Sequence, residues 1–168
     1  MIAPLKPPLT SGHAELANSA LAIAPPEAEL LDGYAVEDQV GFLLRRAHQR
    51  HTAIFLEGMT AAELTPTQFT ALIKTVELGA VTQNHLGRLT AMDPATIHGV
   101  VRRLIARGLV RRGLNPQDRR MAVLEATPQG KALSRRAVEA ARGITEATLE
   151  PLDESERRAL LAILRKMG

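Results

Sequence analysis

The sequence predicts a mainly α-helical chain carrying one small β-hairpin, and three observations predict it. The stretch Met92 to Ala126 reads as a helix, a glycine stop and a hairpin. Helix-start signals recur at Thr65-Pro66, Asp93-Pro94 and Thr127-Pro128, each a capping side chain before a proline whose missing N–H needs no partner. Positive charge is gathered in one place. Arg102, Arg103, Arg107, Arg111, Arg112, Arg119 and Arg120 face one acid, Asp118, so that segment is +6 in a chain whose total is +3. Charge this localised marks a phosphate-contacting surface.

Composition narrows the class. A chain of 168 residues with 45% hydrophobic and 23% charged residues is long enough to bury a core and is ordinary for a soluble globular protein. Aromatic content of 2%, with no Trp, disfavours a single-strand binder that stacks bases on aromatic platforms. The absence of Cys removes disulfides, thiol sensing and Cys-ligated zinc. A pI near 9.8 fits a nucleic acid and would also fit an anionic membrane surface. No apolar run approaches the roughly 18–20 residues of a membrane span. Pro4, Lys6, Pro7 and Pro8 interrupt any signal-peptide core, so a cytoplasmic location is expected.

Taken in order, Met1 to Gly33 holds five of the ten prolines and reads as a largely disordered N-terminal arm, with a short helix around Ala14 to Ala22. Tyr34 to Gly58 reads as a long helix with Val36, Val40, Leu43, Leu44, Ala47, His51, Ile54 and Phe55 on one side, and Glu37 and Asp38 suit its positive end. Thr65-Pro66-Thr67-Gln68 is a capping box that opens a second helix, ended by Gly79. Thr82 to Leu89 makes a third, short helix, and Thr90-Ala91-Met92 turns into the next. Asp93 caps that fourth helix, Ile97, Val101 and Leu104 give it one apolar face, and Gly108 ends it. Strands are expected over Leu109 to Arg112 and Arg120 to Ala126, joined by a turn at Asn115-Pro116.

A fifth helix starts at Thr127-Pro128 and runs toward Leu149; Asp153-Glu-Ser-Glu156 opens a last one with Leu160, Leu161, Ile163 and Leu164. That last helix is too short and too apolar on one face to stand alone, which predicts packing with the first helix of a second copy. The expected layout is an arm (1–33), a first dimerisation helix (34–58), a winged helix-turn-helix DNA-binding lobe (59–126) and C-terminal dimerisation helices (127–168).

In such a lobe the exposed side of the fourth helix reads bases, so Ala95, Thr96, His98, Gly99, Arg102 and Arg103 are the expected base readers. Arg111, Arg112, Arg119 and Arg120 are expected on phosphates or in the minor groove, with Asp118 orienting Arg119 or Arg120. Two-fold symmetry predicts a pseudo-palindromic operator.

Asn115-Pro-Gln-Asp-Arg-Arg120, continuing to Thr127-Pro-Gln-Gly130, resembles the wing signature of MarR-type regulators, D-x-R followed by L-T-x-x-G. Asp118 and Arg120 match D-x-R, Thr127 and Gly130 match T-x-x-G, and Ala126 stands where that pattern has Leu. Ala95 to Val110 is similar to the family's recognition helix and first wing strand, with Gly99 where many members carry a polar or basic residue. The resemblance extends from Val36 to the C-terminus. It implies a homodimeric regulator, in most cases a repressor, released by a small aromatic acid.

It also implies a ligand crevice bordered by the first helix, the second helix and the start of the fifth. Arg45, His48, His51 and Thr52 are the residues expected there, the histidines receiving a carboxylate and a ring hydroxyl or nitrogen. Glu37 to His51 is further similar to the branch that controls nicotinate breakdown, which suggests a hydroxynicotinate. No cofactor or metal is expected. An enzyme is disfavoured because G-x-S-x-G, a phosphate-binding G-x-x-x-x-G-K and a nucleophilic Cys are all missing. The alternatives are a metal-responsive regulator using His48, His51, His85 and His98, and a helical partner-binding module without ligand.

Overall fold

The computed structural model describes residues 33–114 and 122–168. The arm and its short helix around Ala14 to Ala22 lie outside the described residues, as do the Asn115-Pro116 turn, Asp118, Arg119 and Arg120. Residues 33–39 belong to a unit separate from Val40–Gly168 and are described by themselves. They form a 3-10 turn, Val36–Asp38, and the Gln39 side-chain amide donates to the Ala35 carbonyl at 3.0 Å.

The second unit consists of α1 (Val40–Gly58), α2 (Pro66–Leu78), β1 (Ala80–Val81), α3 (Gln83–Leu89), α4 (Pro94–Ala106), β2 (Val110–Leu114), β3 (Ala122–Ala126), α5 (Pro128–Leu149) and α6 (Glu154–Met167). The first helix therefore begins at Val40, not at Tyr34. Gln39 is extended, with φ −77° and ψ 136°, and its N–H bonds back to Val36. Glu37 and Asp38 thus sit in the 3-10 turn rather than in the first turn of α1.

The capping signals hold where the chain is described. Thr65 and Gln68 form the reciprocal capping box of α2, and Gly79 closes that helix at φ +75°. Asp153 and Glu156 do the same for α6. The sheet is three-stranded and antiparallel in the order β1-β3-β2, with Arg111 opposite Glu125 and Val81 opposite Leu124. β1 has no signal in the sequence because two residues show no period; its pairing to β3, more than forty positions on, creates it.

Apolar side chains from both ends of the unit meet in one core. Leu72 of α2, Leu86 of α3, Ile97, Val100, Val101 and Leu104 of α4, and Leu109 are almost fully buried. Burying each such side chain is worth about 1.5–3 kcal/mol against leaving it in water, which anchors the inner face of α4. α1 joins this core near its C-terminal end, where Phe55 meets the edge of Phe69 with ring centroids 5.7 Å apart. Close to that point a Cβ on Gly58 would come within 2.7 Å of Ile144 Cγ1, so the glycine lets α1 and α5 approach.

The T-x-x-G segment has a concrete job. The Thr127 hydroxyl donates to the Gly108 carbonyl at 2.7 Å and accepts from the Gly130 N–H at 3.0 Å, while its own N–H donates to Leu109. A Cβ on Gly130 would stand 2.0 Å from the Leu109 carbonyl oxygen. The first turn of α5 is thereby locked against the end of α4 and the start of β2.

Candidate nucleic-acid interface and effector cavity

α4 separates its two faces cleanly. Ile97, Val100, Val101 and Leu104 point into the core, whereas Ala95, Thr96, His98, Arg102 and Arg103 are exposed and Gly99 is half-buried. The six expected base readers therefore share the outward side. Asp93 fixes the helix start, its Oδ1 accepting from Ala95 and Thr96 N–H at 3.0 and 2.9 Å. The Thr96 hydroxyl donates to Asp93 Oδ2 at 2.5 Å, and this bond together with the backbone ones holds the Asp93 carboxyl below its usual range. With its proton spent on the cap, Thr96 offers outward a methyl group and an acceptor lone pair.

A Cβ on Gly99 would meet the Arg103 guanidinium one turn on at an ordinary contact distance, 3.5 Å from Nη1, so the two positions share one patch of the outer face. Among the described residues, Arg102, Arg103 and Arg112 make no ion pair, while Arg111 pairs with Glu125 across the strands at 2.6 Å. Arg111 thus contributes less free charge than its neighbours.

The histidines lie elsewhere than the expected crevice. His48 and His51 line a cavity of about 450 Å³ bounded by α1, the last turns of α5 and α6, with Leu44, Ala47, Thr145, Thr148, Leu160 and Leu164 in its walls. The space between α2 and the start of α5 is a different groove, near Ile73, Val76, Lys131 and Arg135, and contains neither histidine. The reason is length: α1 has 19 residues, and its contact with α2 lies near Phe55, one to two turns beyond the histidines. Of the other two expected contacts, Arg45 stacks its guanidinium over Phe42 at 5.2 Å, and Thr52 has a buried hydroxyl with no partner among the described residues. Neither lines the cavity.

One contact sets the chemistry of the cavity. His51 Nδ1 lies 3.0 Å from Thr148 Oγ1, and Thr148 Oγ1 donates to the Ile144 carbonyl at 2.8 Å. When the hydroxyl proton goes to that carbonyl, Nδ1 supplies the proton of the His51–Thr148 contact. Nε2 is then an acceptor in the neutral ring, suited to a ligand hydroxyl or N–H, and a donor to a carboxylate once protonated. Arg50 supports this arrangement by donating to the Thr148 and Ala147 carbonyls at 2.6 and 3.3 Å. Thr148 and Arg50 carry no signal in the sequence, because their partners are about a hundred residues away. Among the described residues no three His, Cys, Asp or Glu side chains gather as a metal-ion group, and no helix is long and apolar enough to cross a membrane.

The sequence model of the MarR family matches residues 62–121, which span α2 to the hairpin. The chain is 44% identical over 144 residues to the HTH-type transcriptional repressor NicR of Pseudomonas putida, covering 84% of this chain and 91% of that one. A probable transcriptional regulator from Pseudomonas aeruginosa superposes with a TM-score of 0.77 at 44% identity, covering 80% of this chain and 100% of that one. BpsR of Bordetella bronchiseptica, whose structure concerns the regulation of its DNA binding by 6-hydroxynicotinic acid, superposes at 0.75 with 42% identity, covering 80% and 96%.

Proposed function

Because this chain belongs to the MarR family of transcriptional regulators, we propose that it acts as a homodimeric repressor on a pseudo-palindromic double-stranded DNA operator, released by a small aromatic carboxylate such as a hydroxynicotinate. The observation that carries the reading is α4 itself: one face buried, the other presenting Thr96, His98, Arg102 and Arg103 to solvent. In a two-fold dimer the two copies of α4 would enter successive major grooves about 34–36 Å apart, with the arginines of the hairpin on the backbone. A cytoplasmic location follows from that role.

The effector is assigned to the His48–His51 cavity, which holds a ring-sized molecule and offers Nε2 of His51 as its polar anchor. 6-Hydroxynicotinic acid, which regulates DNA binding by the BpsR relative, matches that chemistry with a carboxylate and a ring hydroxyl or N–H. The test is a mobility shift on the DNA upstream of the protein's own gene, across a salt titration and with 6-hydroxynicotinic acid, nicotinate and benzoate. Affinity should fall steeply with salt, because several phosphates are neutralised at once. His51→Ala should weaken 6-hydroxynicotinic acid binding about tenfold or more by calorimetry, since it removes a charge-assisted contact. Unchanged ligand affinity in both His48→Ala and His51→Ala would remove the cavity from the mechanism.

A further inference from the structure

We infer that Arg107 is a positioning residue that ties the DNA-reading helix to the segment leaving α1, and that it does not itself contact DNA. The inference rests on the role proposed above for α4. Arg107 is the C-cap of α4, and its backbone N–H returns to Arg103 at 3.1 Å. Its guanidinium reaches 44 and 45 residues back, Nη1 donating to the Glu63 carbonyl at 2.5 Å and Nη2 to the Ala62 carbonyl at 3.0 Å. The Glu63 carboxylate adds a looser contact at 4.0 Å. A planar guanidinium offers the two carbonyls separate N–H groups in a fixed fork, whereas an ammonium presents one compact, rotatable charge.

What it holds is itself unusual. Glu63 has φ +51°, a region that a non-glycine residue keeps only where its surroundings fix it. Both Ala62 and Glu63 send their N–H groups back to Met59, at the end of α1. The residue after Arg107 is fixed from the other side, since Gly108, at φ +68°, gives its carbonyl to the Thr127 hydroxyl at the start of α5. The end of α4 is therefore pinned both to the continuation of α1 and to α5. Those are the two helices that the His51–Thr148 contact joins at the cavity. A relative shift of α1 and α5 has two defined routes to α4, and Arg107 is the one on the α1 side.

The test compares full-length wild type, Arg107→Lys and Arg107→Ala. Amide exchange is measured without DNA, and affinity for the duplex upstream of the gene is measured across a salt series. Both variants should speed exchange together at Glu63–Leu64 and in the last turn of α4. Both should weaken DNA binding, Arg107→Lys about tenfold through the loss of one charge-assisted bond and Arg107→Ala by more, while the slope of affinity against salt stays that of wild type even in Arg107→Ala. Full rescue by lysine would show a plain phosphate contact and overturn the inference, as would unchanged exchange at the linker. A wild type that binds no duplex at all would overturn the proposed function instead, and the exchange data, taken without DNA, keep the two failures apart.

Discussion

α4 and α6 are nearly equal in length, both open on an aspartate cap and both carry an apolar stripe, yet their fates in one chain are opposite. α4 buries Ile97, Val100, Val101 and Leu104 within its own lobe. α6 has no buried residue at all, and Leu160, Leu161, Ile163, Leu164 and Met167 remain open. Polar satisfaction does not separate them, since Asp93 and Asp153 cap their helices in the same way. The difference lies in where each stripe finds its complement. For α4 it is the sheet and two neighbouring helices; for α6, whose Leu160, Leu161 and Leu164 wall the His51 cavity, we assign the outward Ile163 and Met167 to a second copy of the chain. On that assignment one helix is complete as a folding element and the other only in an assembly.

The largest expected effect breaks the α6 side of this contrast. Ile163 is 54% exposed and does not line the His51 cavity, so Ile163→Glu should leave the isolated chain folded. It should shift sedimentation from dimer to monomer at micromolar concentration. Operator affinity should fall about a hundredfold or more, because two tethered reading helices become one. A variant that still sediments as a dimer would place the interface elsewhere.

Next comes the α4 side. Gly130→Ala drives a methyl group into the Leu109 carbonyl and should cost about 3 kcal/mol or more by denaturant melts, at the upper end of what overpacking does. If stability were untouched, the junction of α4, β2 and α5 would be looser than its geometry states. Asp93→Ala is a milder change and should lower the melting temperature by about 2–4 °C near neutral pH. Its sign with pH follows from the depressed carboxyl. The stabilisation is fully present above the ordinary value of 3.8 and disappears as pH falls through the lowered value of the folded state, so wild type and variant should converge in strong acid.

The smallest effect concerns Thr52, whose buried hydroxyl lacks a partner among the described residues. Thr52→Val should be neutral or stabilise by about 0.5–1 kcal/mol and leave 6-hydroxynicotinic acid binding unchanged. Weakened ligand binding would instead restore Thr52 to the effector site.

Much of the molecule was legible before any coordinates because its signals are local. A cap followed by proline at Thr65, Asp93 and Thr127, and glycines at Gly79 and Gly108, place helix ends to within a residue. The outer face of α4 follows from its 3.6-residue period. The start of α1 is not legible, because Glu37 and Asp38 suit a 3-10 turn as well as a helix, and the extended Gln39 decides between them. Which helices wall the His48–His51 cavity is not legible in the sequence, because periodicity says which residues share a face, not which neighbour that face meets.

The sequence by itself determined the helices, their caps, the hairpin strands and the cluster of guanidinium groups, since each depends on residues a few positions apart. Only the tertiary structure decided that Arg107 clamps the Ala62 and Glu63 carbonyls, that Arg111 is spent on Glu125, that Thr148 meets His51, and that β1 exists. Those contacts join residues between 14 and 97 positions apart. Chain entropy leaves such pairings unspecified until burial of the shared core brings the partners together.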